Sequence, residues 1–387
     1  MSEYQYYEFR AIDRPLSQKE MDELRALSTR AEITPTSFTN TYQWGDFKGN
    51  PATLMDRYFD AFVYVANWGT HRLMFRIPRR FLDAEAASAY CDGEALSLEA
   101  KKEHVVLEFA SEDEGGDEWT EGEHWMSSLI SLRAELMRGD SRALYLGWLA
   151  SLPSRDPDDE DDRLEPPVPP GLAKPSAPLR ALAEFLRVDD ELIEAAASGS
   201  VGEPPAEPSR TESARWIKGL PAPDKDAYLL RFLAGEGDLL LRAELSKRFR
   251  EATVPKGARP SPDAMRRTVA QLLAGRDALV GEKTLKAAER EAGERARRER
   301  EQAAARAKDL DELARREPAT WREIEVLITT KRPNDYDRAV TLLVDLRDLA
   351  GRSGRAEEAE ARIQELRQRH NNKPSLLKRL DNKRLGK

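Results

Sequence analysis

Two changes of pattern predict an α+β N-terminal domain followed by a mainly α-helical C-terminal half. Short period-two apolar runs are confined to the first 150 residues, which also hold five of the seven tryptophans. Beyond an acidic, proline-rich stretch the strand signal disappears and apolar residues recur at helical intervals.

In the first region, "YQYYEFRAI", "HRLMFRIP" and "HVVLEFA" read as half-buried strands. Leu73, Phe75 and Ile77 face one way while Arg72, Met74 and Arg76 face the other, and Val105, Leu107 and Phe109 alternate with His104, Val106 and Glu108. Ser17 and Glu20 form a capping box that opens a helix with Met21, Leu24 and Leu27 on one face. "PATLMDRYFDAFVYVANWG" predicts a second helix running into a strand or turn at Asn67–Gly69. "MSSLISLRAELMRGDSRALYLGWLASL" closes the region as helix.

Residues 153–178 join an acidic cluster (Asp156, Asp158 to Asp162) to Pro166, Pro167, Pro169 and Pro170, which predicts an extended linker. "LRALAEFLRVDDELIEAAAS" and "DKDAYLLRFLAGEGDLLLRAELSKRFREA" then carry helical spacing. Glu282–Glu317 is dominated by Ala, Glu, Arg and Lys and has too few apolar positions for a coiled-coil seam, so an exposed helical arm, or one side of a loose hairpin, is expected. Thr320 and Glu323 suggest a second capping box. A helical hairpin follows, with Ala339, Leu342, Leu343, Leu346 and Leu349 facing Ala356, Ala359, Ile363 and Leu366 across a turn at Gly351 and Gly354. It is similar to a single tetratricopeptide-type unit. The domains expected are thus 1–150 (α+β), 151–178 (linker), 179–253 (helical), 254–318 (linker and long charged helix) and 319–387 (hairpin with basic tail).

Composition narrows the function. A net charge of −8 with 34% charged residues suits long solvated helices. No apolar run approaches the ~18 residues of a membrane span, no export signal is visible, and a single cysteine suits a reducing cytoplasm. "GRDALVGEKT" fails as a phosphate loop, because its glycines are one residue too far apart and Glu282 stands where the lysine belongs. His71, His104, His124 and His370 show no metal or nucleophile–base spacing. Glu121, Glu123 and His124 are expected in a solvated turn, and Cys91 as a packed thiol. No catalytic, cofactor or metal residues are therefore assigned.

Trp44 and Trp68 each precede a glycine, and burial is the expected fate of both. Stacking on a ligand beside Lys48, Arg72, Arg76, Arg79 and Arg80 is the alternative. From Arg367 onward the tail is basic, yet Leu376, Leu377 and Leu380 share one helical side. A docked tail with outward cations is expected. The residues nominated for contact with a partner or nucleic acid are Trp44, Trp68, Arg79, Arg80, Lys378, Arg379, Lys383 and Arg384.

"YYEFRAIDRPL", "LSTRAEITPTSF" and "YQWGDFKG" resemble the start of a widespread bacterial family of uncharacterised proteins. "LPAPDKDAYLLRFLAGE", "RREPATWREIEVLITTKRPNDYDRAVTLLVDLRDLA" and "RHNNKPSLLKRLD" resemble the non-zinc part of bacterial SWIM zinc-finger proteins. The finger itself needs a C-x-C…C-x-H set, which a chain with only Cys91 lacks. The resemblance implies a shared helical module for partner docking or nucleic-acid association. An adaptor or accessory protein that binds a macromolecular partner, most simply another protein, through its helical half is the function expected. A nucleic-acid-binding accessory protein is the alternative.

Overall fold

The computed structural model describes residues 4–112, 121–152, 162–200, 202, 209–253 and 266–386. The chain divides into two compact units, Met1–Glu282 and Lys283–Lys387. The first unit is an α+β domain with helices continuing past it, and the second is all helix.

The first unit begins with β1 (Gln5–Arg10), α1 (Gln18–Leu27), β2 (Glu32–Thr34), β3 (Ser37–Tyr42), α2 (Pro51–Arg57), β4 (Ala61–Ala66), β5 (His71–Pro78), α3 (Ala84–Ser88), β6 (Leu96–Ala100) and β7 (His104–Ser111). The seven strands form one antiparallel sheet in the order β2-β3-β1-β4-β5-β7-β6. Alternation sorts its side chains. Phe9, Phe62 and Met74 pack with Leu24 and Met55 from α1 and α2, while Val63, Phe75 and Leu107 pack on the helices of the opposite face. The strands are therefore more buried than the half-buried pattern expected, since Met74 and Val106 lie under the first layer.

The Ser17–Glu20 capping box opens α1. Leu24 is fully buried, but Leu27, expected on the same face, is exposed.

The opposite layer consists of α4 (Trp125–Leu129), α5 (Ser131–Met137), α6 (Arg142–Ala150), α7 (Ala177–Phe185) and α8 (Asp190–Ala197). The acidic cluster Asp156–Asp161 lies outside the described residues. Residues 162–178, expected as part of an extended linker, instead lie against this layer: Glu165 and Leu172 are each 2% exposed. Arg267 explains the difference, because it supplies the charge that a buried carboxylate requires. Its Nε and Nη2 donate to Glu165 at 2.7 and 2.8 Å, and the Tyr145 hydroxyl donates to the same carboxylate. Arg267 also donates to the Ala195 and Ala196 carbonyls at the end of α8.

The remaining helices are α9 (Arg210–Gly219), α10 (Ala222–Leu233), α11 (Asp238–Thr253) and α12 (Val269–Arg315). Val269 and Leu272 are buried in the first unit, whereas the residues from Gly281 to Ala305 are exposed on all sides, as expected of a charged arm.

In the second unit, the last turns of α12 pack with α13 (Glu317–Thr329), α14 (Pro333–Arg352), α15 (Ala356–Arg369) and α16 (Pro374–Asn382). The second capping box does not form. Helix α13 starts earlier, at Glu317, and Thr320 donates to the Arg316 carbonyl from inside the helix. Gly354, at φ +71°, supplies the left-handed turn between α14 and α15. Leu376, Leu380 and Leu385 are fully buried, so the tail is docked within this unit.

Four charged side chains lie at the centre of the first unit. Asp60 is 1% exposed, and its carboxylate accepts from the Ile12 and Asp13 amides at 2.6 and 2.9 Å and from Arg76 at 2.8 Å. Arg133, 2% exposed, grips Asp13 with two bonds of 2.9 and 2.7 Å and donates to the Arg76 carbonyl at 2.8 Å. Burial alone would raise the Asp60 carboxyl, but Arg133, Arg76 and the two amides hold it below its usual range. Removing one partner strands a buried charge. Arg133→Met is expected to lose about 3–5 kcal/mol of unfolding free energy in urea titration, against under about 1 kcal/mol for an exposed arginine such as Arg338.

His71 is likewise buried, 4% exposed, with Nδ1 donating to the Phe185 carbonyl at 2.8 Å and its ring stacked on Phe185. Burial, with a contribution from Arg187, pushes it down to about 4. Between pH ~6.5 and ~4 the unfolded chain takes up a proton that the folded chain refuses. Stability from this group is complete above pH ~6.5 and falls with acid. A loss of about 3 kcal/mol across that window is expected, and denaturation midpoints measured against pH should flatten in His71→Gln.

Candidate functional site

Two features stand out on the first unit: a polar, aromatic cleft at one end of the sheet, and an apolar helical face remote from the core. Cross-strand register builds the cleft. Tyr7 on β1 lies opposite Tyr64 on β4, which lies opposite Arg72 on β5, so the three share one face of the sheet. At this end the floor is overlain by the loop Gly45–Pro51 and the β4–β5 turn at Trp68, giving a cleft of about 720 Å³. That lies within the ~300–1,000 Å³ typical of ligand sites.

A fixed hydrogen-bond network forms the floor. The Tyr7 hydroxyl lies 2.8 Å from Gln5 Oε1 and 3.0 Å from Asp46 Oδ1, and the Tyr64 hydroxyl donates to Gln5 Oε1 at 2.9 Å. Gln5 Nε2 then donates to the Gly45 carbonyl at 3.0 Å, which ties the loop to the strand. Burial, followed by the neighbouring Tyr64 and Asp46, pushes the Tyr7 phenol up. Tyr64 is pushed up to about 12, again first by burial. Both phenols therefore stay protonated and serve as hydrogen-bonding groups, not as bases. Arg72 directs Nε to Glu108 at 2.6 Å, and Asp46 and Glu112 stand at the rim.

The second feature is the face of α9 and α10. Neither helix buries a single residue. Ile217, Leu229, Leu230, Phe232, Leu233 and Leu239 are all exposed, Leu233 to 79%. The helical spacing expected here is present in α10 and α11. At ~100° per residue, however, Leu229, Leu230, Phe232 and Leu233 spread over about 160° of arc, wider than the contact with α11 can cover.

The nominated residues do not converge. Trp44 (66% exposed) and Trp68 (46%) are both at the surface, contrary to their expected burial. Trp68 lines the cleft, and Trp44 lies beneath the Arg30 guanidinium at 4.5 Å. Both sit at loop tips, where no second layer covers them. Arg79 and Arg80 are at the far end of β5, ~25 Å of strand from Trp68, beside Lys102. Arg80 lies over the Phe81 ring and 3.7 Å from Glu236, and Arg76 is committed to Asp60. The basic patch beside the tryptophans is thus not assembled. In the second unit, Arg379 pairs with Asp337 at 2.7 Å, while Lys378, Lys383 and Arg384 are exposed.

The remaining candidates lie elsewhere. Gly275 and Gly281, the degraded phosphate-loop motif, are interior to α12. Burial, then Asp92, pushes the Cys91 thiol up to about 11, which suppresses the thiolate. His104 bonds Asp56, and His370 bonds Glu325. Among the described residues no cluster of three acidic, histidine or cysteine ligands could hold a metal, and no helix is long and apolar enough to cross a membrane. No protein-family model, curated protein or solved structure matches the chain.

The placement of the tryptophans gives a direct test. Trp44→Ala and Trp68→Ala are each expected to change unfolding free energy by less than about 1 kcal/mol. Trp148→Ala, at a position 1% exposed, should cost about 3–5 kcal/mol in the same thermal or urea titrations.

Proposed function

We propose that this chain is a non-enzymatic adaptor or accessory protein that binds another protein through its helical half. The exposed apolar face of α9 and α10 carries the reading. Leucine and phenylalanine left this open to water stabilise nothing in the folded monomer, and contiguous apolar surface of this kind commonly marks a binding face. Residues 222–233 also lie in the stretch that resembles the SWIM-associated helical module. The partner would bring an apolar surface of its own, because the gain comes from removing leucine and phenylalanine from water. The charged arm in α12 and the α14–α15 hairpin offer further solvated helix surface.

A nucleic-acid partner is the alternative. The exposed cations Lys378, Lys383 and Arg384 favour it, though Arg379 is already taken by Asp337. Leu229→Glu with Leu233→Glu should leave the melting temperature within a few degrees, since both side chains are exposed. The same double variant should lose the protein that the intact chain retains in affinity capture. Retention of that protein by the variant would overturn the reading, and release only by nuclease or raised salt would favour the alternative.

A further inference from the structure

The cleft between Trp68 and the Gly45–Pro51 loop is independent of the helical face, and its chemistry specifies a ligand class. We propose that it binds an organic cation: an ammonium or guanidinium head on an extended chain. Three observations lead there.

The first is charge. Arg72 is paired with Glu108 at 2.6 Å, which leaves Asp46 and Glu112 as the remaining charges among the described residues that line the cleft. Lys48, in the same loop, is exposed and does not line it. An anionic ligand would meet two carboxylates.

The second is the lining. Tyr7, Phe47, Tyr64 and Trp68 present four aromatic rings around one space, with Tyr7 and Tyr64 centroids 4.7 Å apart and Tyr7 and Phe47 5.3 Å apart. Aromatic π faces beside carboxylates attract cations by quadrupole and Coulomb forces together. Trp68 is 46% exposed and contributes little to the core, so its indole is free to stack.

The third is rigidity. Gln5, Tyr7 and Tyr64 are each under 10% exposed and are held by the mutual bonds described above. The wall is held too: Phe47 N donates to Asp46 Oδ1 at 2.7 Å, fixing the carboxylate against the floor. At Gly49 an added Cβ would lie 2.5 Å from the Phe47 ring, so the loop follows the ring closely there. A preformed site of this kind loses little ordering entropy on binding. A cleft of about 720 Å³ accommodates an extended chain behind the charged head.

Such a head occurs on free diamines and on lysine or arginine side chains of a peptide, and the test separates the two. Isothermal titration and Trp68 fluorescence would be followed with 1,5-diaminopentane, with a short lysine- and arginine-containing peptide, and with glutarate as the anionic counterpart. Saturable binding of the diamine would identify a small-molecule site, and binding of the peptide alone would identify a side-chain receptor. Either result supports the proposal when glutarate does not bind. Asp46→Asn, which keeps the oxygen facing the Phe47 amide, and Trp68→Ala should each weaken binding about tenfold. Glu112→Gln provides a second charge variant should Asp46→Asn disturb the loop. No saturation by either cation up to about 10 mM, or equal binding of glutarate, would overturn the proposal (millimolar being the weak limit of specific binding). The Leu229→Glu, Leu233→Glu double variant should bind the cation unchanged, so failure of the adaptor reading and failure of this one remain distinct.

Discussion

The first unit depends on charges removed from water. Asp60 immediately precedes β4, accepts from the amides of Ile12 and Asp13 and from Arg76 on β5, and stands 3.7 Å from the Arg133 guanidinium on α5 as an ion pair. A single carboxylate therefore fixes the chain leaving β1, two adjacent strands and the helix layer beneath them. Burying four charged groups is expensive in desolvation, and an apolar replacement of the same shape could be as stable. Such a set supplies geometry that apolar contact does not. A leucine core tolerates sliding, whereas a guanidinium gripping a carboxylate with two bonds admits one arrangement. The strand register at this end, and hence the alignment of Tyr7, Tyr64 and Arg72 across the sheet, follows from that constraint.

Local patterns were well recorded in the sequence. Alternation in "HRLMFRIP" and "HVVLEFA" marked two central strands, Ser17 with Glu20 marked a helix start, and Gly354 marked a hairpin turn, because each depends on neighbours within four residues. What escaped depends on partners far along the chain. Glu165 is buried only because Arg267, 102 residues away, meets it. Trp44 and Trp68 looked like core residues, since nothing near them in sequence says that their loops leave them exposed. The cleft was similarly hidden, being drawn from positions 5, 7, 46, 64 and 72. Its local signs were Trp68 with Arg72 nearby and the tyrosine in "AFVYVA", a polar group on an otherwise apolar strand. Capping at Thr320 misled because Pro318, favoured in the first turn, moved the helix start back to Glu317.

The two surfaces have opposite physical characters. Helices α9 and α10 offer broad apolar area with little preformed shape, which suits a protein partner whose own surface completes the packing. The cleft offers a rigid polar floor, mutually tilted aromatic rings and carboxylates in a confined volume, which suits a small charged group. The exposed apolar surface and the polar cleft therefore lie on separate elements of one unit.

Arg267 has a further implication. Its guanidinium touches the Ala195 and Ala196 carbonyls and Ser198 at the end of α8, while its own backbone bonds Glu165. The polypeptide that departs after α8 thus comes back to its point of departure some seventy residues later. The intervening detour includes α9 and α10, and its two ends are clasped together whatever lies between them. Sequence drift confined to α9 and α10, neither of which buries a residue, would leave the sheet and its helix layer undisturbed, whereas α11 in the same detour places Ala243 in the core. The two exposed helices can consequently vary while the scaffold that carries them stays constant.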